Sequence, residues 1–232
     1  MRRHLSSRVS YLLIGLGLLS VLAWVFAPFS DPSLFCGVHN FAWTEPGMVA
    51  RAAQPSPVSF ACFWKNGFGS VVNLRQESPG YNEAAIVRML GMSYLLLPIV
   101  DDTAASPAQV SAYMRFVADR RNSAPVLTHD AAGRGRMGMM DGVYLLWKGW
   151  STADVFKRYI DFGAKIDCEN GGNGQIQALR EIGLILGRGE AWPLGSDHYG
   201  NSWENCPRPD YMATWDYSTV EFPPYAATKR QS

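Results

Sequence analysis

The sequence predicts an α/β domain, a mainly parallel central sheet flanked by helices, preceded by one transmembrane helix. Three observations carry this. From residue 47 onward short β-prone runs alternate with helical patterns, the order that builds βαβ units. One run, Val126-Leu-Thr-His129, breaks into the glycine-rich turn Asp130-Ala-Ala-Gly133-Arg-Gly135-Arg136, from which a helical pattern resumes at once. Residues 11–27 are uncharged and rich in Leu, Val and aromatics, at the lower end of the length that crosses a bilayer.

The amino-terminal residues 1–10 form a basic segment and the span is placed at residues 11–29. Arg2, Arg3 and Arg8 precede it and the first acidic residue is Asp31. By the positive-inside rule the N-terminus is cytoplasmic and the domain extracytoplasmic, in the periplasm of a single-pass cell-membrane protein. The rival reading, a cleaved signal peptide, lacks a clean small-x-small site, and Pro28 follows the best candidate. Beyond the span the chain carries 18 basic and 20 acidic side chains, so no basic surface argues for nucleic acid. Of 232 residues 47% are hydrophobic, enough to fill one core.

Residues 30–46 read as a juxtamembrane connection, too apolar for a free linker and packed on the domain. The domain itself is placed at residues 47–187. Met48-Val-Ala-Arg51 begins it as a short strand. Ser56 is an N-cap with Pro57 at the first helical position, and that helix closes at Asn66-Gly67. Residues 70–74 form a buried strand, 81–90 a helix stopped by Gly91, and 94–97 the next strand. Ser106-Pro107-Ala-Gln109 is a capping box, followed by the apolar stripe Val110, Tyr113, Met114 and Val117. After the strand at 126–128 and its loop, Met139, Val143, Leu146 and Trp147 mark a helix. Ser151 caps another to about residue 162. The polar loop 167–174 matches no ion-binding spacing and reads as a connection before a last helix over 175–186. Residues 188–232 form a Pro-rich extension with Trp192, Tyr199, Trp203, Tyr211, Trp215, Tyr217, Phe222 and Tyr225, read as an irregular cover of the domain that could also receive a protein partner.

The exported part holds four cysteines, Cys36, Cys62, Cys168 and Cys206. Outside the cytoplasm an even number points to disulfides, with three pairings open. The expected one, Cys36–Cys62 with Cys168–Cys206, staples each end of the domain locally. No cofactor and no metal set is expected.

A strand–loop–helix turn rich in glycine leaves backbone N–H groups free at a helix N-terminus, where the helix dipole favours an anion. The candidate phosphate-binding residues are Ala131, Ala132, Gly133, Arg134, Gly135 and Arg136, and Arg136 can hold two oxygens with its planar fork. These residues resemble the signature loop of the protein tyrosine and dual-specificity phosphatases, His-Cys, five residues, Arg, then Ser or Thr. His129, Gly133 and Arg136 fall on the family's His, Gly and Arg. Asp130 stands at the cysteine and Met137 at the Ser/Thr. The resemblance covers residues 40–159, with Arg51-Ala-Ala-Gln54-Pro55, Val72-Asn73-Leu74-Arg75 and Pro98-Ile-Val-Asp101-Asp102 as further matches. It is similar in particular to membrane-anchored bacterial dual-specificity-like phosphatases.

The resemblance implies a cysteine-phosphatase fold and a phosphorylated or phosphate-like ligand. It implies Asp101 as the acid that protonates the leaving oxygen, with Asp102 able to substitute, Arg136 as the holder of the equatorial oxygens, and His129 as a support that orients the loop. Asp130 keeps the charge of a thiolate but is a poorer nucleophile, and Met137 cannot donate the hydrogen bond a hydroxyl would. Asp130 could also pair with Arg136 and fill the site from within. Two main readings follow. One is a catalytically impaired binding or scaffolding module of a phosphoric monoester hydrolase family. The other is an active phosphomonoesterase using Asp130 with Asp101 as general acid. An engineered Asp130 that traps substrate, and an envelope interaction protein working through its aromatic extension, stand beside them.

Overall fold

The computed structural model describes residues 36–165, 172–189 and 208–224. The expected membrane span, the Cys168–Cys206 pair and most of the loop 167–174 lie outside the described residues. Among those described, no helix is long and apolar enough to cross a membrane.

Five strands form one mixed sheet in the order β1-β2-β5-β3-β4: β1 (Ala42–Glu45), β2 (Val49–Ala52), β3 (Ser70–Arg75), β4 (Ser93–Ile99) and β5 (Val126–His129). β2, β5, β3 and β4 run parallel, while β1 pairs antiparallel with β2. The parallel part is as expected. The antiparallel edge is not, because the segment read as a connection supplies it. Gly37, Pro46 and Gly47 around it read as loop signals, and its pairing is decided by tertiary contacts. Trp43 stacks on Phe68 at 5.5 Å and Thr44 is buried, which ties this edge to the domain.

Six helices follow the predicted signals: α1 (Pro57–Lys65), α2 (Glu83–Met89), α3 (Pro107–Arg120), α4 (Gly135–Trp147), α5 (Thr152–Asp161) and α6 (Gly172–Ile185). Ser56, Ser106 and Ser151 cap α1, α3 and α5, and the capping box at Ser106 and Gln109 is complete. Pro98 lies inside β4, where an edge strand can spare an amide donor.

Strand side chains alternate between two cores. Ala50, Val71 and Leu127 face Phe60, Phe63 and Val87 of α1 and α2, whereas Val49, Val72 and Val126 face the layer of α3 to α6. α4 carries more than the stripe read from the sequence, for it is buried from Arg136 to Trp147. A helix enclosed on all sides needs apolar or small residues all round. Gly138 and Gly142 supply the closest approaches, since a Cβ would lie 2.8 Å from Tyr159 and 2.7 Å from Leu179 respectively. Cys36 and Cys62 are bonded, with Cα atoms 5.3 Å apart, as paired from the sequence.

The carboxyl ends of β2, β3, β4 and β5 open on the same edge. Crossovers on both faces make that edge a crevice where ligands bind in such sheets. The described part of the extension packs on the α3–α6 layer through Met212, Tyr217 and Val220, in two short 3-10 turns at Asp210–Met212 and Tyr217–Thr219. Its role as a cover holds for residues 208–224.

Candidate active site

β5 ends at His129 and α4 begins at Gly135, so the loop 130–134 joins the central strand to the most buried helix. Three successive loop carbonyls are tied from outside. The Gln54 N–H donates to Ala131 O at 3.3 Å, Asn40 Nδ2 to Ala132 O at 2.7 Å, and Arg51 Nη2 to Gly133 O at 2.6 Å. In a planar trans peptide N–H and C=O point opposite ways, so these ties turn the N–H groups of Ala132, Gly133 and Arg134 inward. Gly133 adopts φ +69°, and a Cβ there would lie 2.7 Å from the Ala53 nitrogen. The glycine is required both by its backbone and by its neighbour.

Arg51 is the hidden brace. Its guanidinium is fully buried, pairs with Asp141 of α4 at 3.1 Å and stacks 3.8 Å from the centre of the Phe162 ring. Asp141 also takes Arg158 of α5 at 2.8 Å and the Thr44 hydroxyl of β1. The arginine of the motif Arg51-Ala-Ala-Gln54-Pro55 thus joins β1, β2, the loop and two helices.

Asp130 is 2% exposed. One carboxylate oxygen accepts the N–H of Gly133 and the other that of Met137 at 2.9 Å. It therefore caps the loop and the first turn of α4, and the alternative in which it pairs with Arg136 is not the arrangement adopted. Arg136 turns elsewhere. Its Nη1 donates to both Glu77 oxygens at 3.0 and 3.1 Å and to the Ile99 carbonyl at 3.1 Å, and its Nη2 lies 3.2 Å from Asp101. The short Asp130 side chain reaches amides within its own loop, while the long arginine extends to the ends of β3 and β4. Burial opposes ionisation of Glu77, but its own amide together with Arg136 and Arg75 holds the carboxyl below its ordinary value.

His129 is fully buried and its Nε2 lies 2.9 Å from Glu83 at the start of α2. It supports the site from beneath through that helix, and the orienting hydrogen bond to the loop does not appear. Gln54 Nε2 donates to the second Glu83 oxygen at 2.7 Å. Burial raises the Glu83 pKa, yet hydrogen bonds from His129, Gln54 and Tyr94 outweigh it and leave the carboxyl below its ordinary value.

A cavity of about 240 Å³ gathers the predicted residues Asp101, Asp102, Asp130, Ala131, Ala132, Arg134, Gly135 and Arg136. The predicted Gly133 and His129 are not in its lining: Gly133 lies against Ala53 and His129 is buried beneath the loop. Asp102 takes the left-handed φ of 56° uncommon outside glycine, in the turn after β4. Lys165, Gln175 and Gly163 complete the lining and were not foreseen, nor were Glu77 and Glu83. Glu77 was within reach of sequence reasoning, because it follows Val72-Asn73-Leu74-Arg75 and so emerges at the same sheet edge. Among the described residues no group of three His, Cys, Asp or Glu converges on a metal position. The cavity can present inward N–H groups and the Arg136 guanidinium to an anion, over a floor that already carries the Asp130 charge.

Residues 45–150 match the model of a family described as polymorphic toxin system, DSP-PTPase phosphatase. No curated protein matches the chain. Several solved structures share the fold. A putative phosphatase from Shewanella putrefaciens CN-32 superposes with a TM-score of 0.55 at 18% identity, over 67% of this chain and 99% of its own. Tk-PTP in its active form gives 0.54 at 22% identity, covering 62% and 97%. P. aeruginosa TpbA in complex with pTyr gives 0.52 at 22%, covering 68% and 94%. The signature loop at the carboxyl edge of β5, held by Arg51, thus lies within the segment that matches the DSP-PTPase phosphatase model, and the fold is that of solved tyrosine and dual-specificity phosphatase structures.

Proposed function

We propose that the chain is a membrane-anchored phosphatase-family module that receives a phosphorylated ligand or phosphate-like anion at Arg136 and is impaired in hydrolysing it. The observation that carries this is the Asp130 carboxylate, which stands at the family's nucleophile position with its oxygens held by the Gly133 and Met137 amides. A carboxylate so engaged is a weak attacking group. Charge works in the same direction. Two like unit charges about 4 Å apart at an effective dielectric of about 20 repel by about 4 kcal/mol. One charge-assisted hydrogen bond returns about 1.5–3 kcal/mol. Ligand binding is therefore modest and rests on Arg136 and the inward amides. Met137 at the hydroxyl position removes the donor that would help an intermediate depart. The pTyr bound by the TpbA structure supports a phosphorylated ligand class for this fold.

The alternative, an active phosphomonoesterase, draws on Asp101. Its side chain is 68% exposed, lines the same cavity and lies near Arg136, where a leaving oxygen would sit. Turnover of an aryl phosphate, measured for the unmodified chain, Asp130→Cys and Arg136→Ala with and without magnesium, separates the two. The impaired reading expects turnover only after Asp130→Cys. Turnover by the unmodified chain that vanishes in Arg136→Ala overturns it.

The anchor places the N-terminus in the cytoplasm and the domain in the periplasm. Three arginines before the apolar run support this, as does the Cys36–Cys62 disulfide, a bond of oxidising compartments. Protease added to intact spheroplasts should digest the domain; full protection would refute the orientation. A scaffolding role would use the aromatic extension, of which Met212, Tyr217 and Val220 already belong to the core.

A further inference from the structure

The loop after β4 carries Asp101 and Asp102, and within it the Thr103 N–H and hydroxyl both return to Val100 O. Its downstream end, Ala104 and Ala105, is buried at 2% and 0% exposure. Buried backbone groups need partners. The Ala105 N–H meets Met139 Sδ at 3.3 Å, and two partners come from more than 100 residues away in sequence: the Ala104 N–H donates to the Tyr211 hydroxyl at 3.1 Å, and the Tyr217 hydroxyl donates to Ala105 O at 2.6 Å. Gln175 Nε2 holds Thr103 O at 3.0 Å from α6.

The seat of Tyr211 is built for it. A Cβ on Gly174 would lie 1.9 Å from the Tyr211 hydroxyl, so only glycine admits the ring there. The strap that carries both tyrosines is itself fixed. Met212 and Tyr217 are 0% and 1% exposed, Arg208 binds Glu181 at 2.9 Å and the Trp215 carbonyl at 2.9 Å, and the Glu221 N–H reaches Ser111 Oγ at 3.1 Å. Tyr211 and Trp215 meet edge to face at 5.3 Å. Two hydroxyls on a rigid strap thus hold the far end of the loop whose near end sets Asp101 against Arg136.

We propose that Tyr211 and Tyr217 are positioning residues: the carboxy-terminal strap sets the 100–105 loop and, through it, keeps Asp101 on Arg136 as a competitor of the anion. The proposal rests on the reading of the cavity as an anion site. It makes the extension a regulator of that site, since anything that lifts the strap releases Asp101.

The test uses the full-length chain in detergent, with inorganic phosphate as the probe, and compares Tyr211→Phe, Tyr217→Phe, Asp101→Asn and the Tyr211→Phe/Asp101→Asn double variant. Phenylalanine keeps each ring in its packing. Loss of one hydroxyl partner should speed amide exchange in residues 100–106 about five- to ten-fold, leaving α4 unchanged. Phosphate affinity should rise about two- to five-fold in either tyrosine variant and in Asp101→Asn. The double variant should gain no more than Asp101→Asn, because both changes remove the same competitor. Exchange rising across the whole molecule, unchanged phosphate affinity in the tyrosine variants, or additive gains would each overturn the proposal. If the unmodified chain and Arg136→Ala bind phosphate equally poorly, the anion-site reading fails, while localised exchange in residues 100–106 would still report that the strap holds the loop.

Discussion

Replacing Arg51 by Met tests how the loop is held. Methionine keeps much of the aliphatic volume, so the loss is electrostatic rather than a cavity. The guanidinium is removed from Asp141 at 3.1 Å and from Gly133 O at 2.6 Å. Breaking a buried pair costs about 3–5 kcal/mol when the remaining charge has no other partner. Asp141 retains Arg158 at 2.8 Å and the Thr44 hydroxyl, which brings its share toward the lower end or below. The Gly133 carbonyl, left without its donor, adds about 1–3 kcal/mol. The expected destabilisation is about 3–5 kcal/mol, against about 5–15 kcal/mol for the stability of a whole domain. Urea unfolding followed by tryptophan fluorescence reads it, together with Arg51→Met/Asp141→Asn. The double variant should lose less than the two single losses combined, because the buried charges disappear together. A loss under about 1 kcal/mol, or strict additivity, would refute the bracing role.

Other expectations follow from the same geometry. Gly133→Ala forces a Cβ within 2.7 Å of the Ala53 nitrogen at a left-handed backbone, and should cost about 2–5 kcal/mol in the same unfolding experiment. Glu77→Gln removes one carboxylate from Arg136; as the Glu77 side chain is 44% exposed, the gain in phosphate affinity by calorimetry should stay within about five-fold. Glu45, Glu77 and Glu83 all titrate below the ordinary value of 4.5 in the folded chain. Their contribution to stability is therefore complete above that value and is lost as pH falls through their depressed folded values. Unfolding free energy measured from pH 7 to 3 should begin to fall below about 4.5, and Glu83→Gln should make that fall shallower.

Much of the domain was legible because its signals are local. Ser56, Ser106 and Ser151 announce helix starts within three residues, and each caps the helix it announced. The glycine turn after His129 declares strand, loop and helix in one stretch. The edge strand β1 escaped notice because Gly37, Pro46 and Gly47 flank it with loop signals, and its place depends on Trp43 finding Phe68 and on Thr44 finding Asp141. The full burial of α4 was equally hidden, since a helix shows its stripe in sequence but not the elements stacked on its other faces. Glu83 drew no role from the sequence, because its partner His129 stands 46 residues away and only the fold brings the two together.

The sequence by itself determined the class of fold, the helix caps and the place of the glycine-rich loop between strand and helix, including the carboxylate of Asp130 where the resembled family has its cysteine. Each of these is written in side chains a few residues apart or in a residue type that needs no partner to be read. Only the tertiary structure decided what Asp130 and Arg136 bind. A carboxylate in a loop can reach its own amides or a nearby guanidinium, and the outcome depends on which other groups arrive at the sheet edge. Glu77 and Asp101, brought there by the ends of β3 and β4, took the arginine, and the Gly133 and Met137 amides took the aspartate.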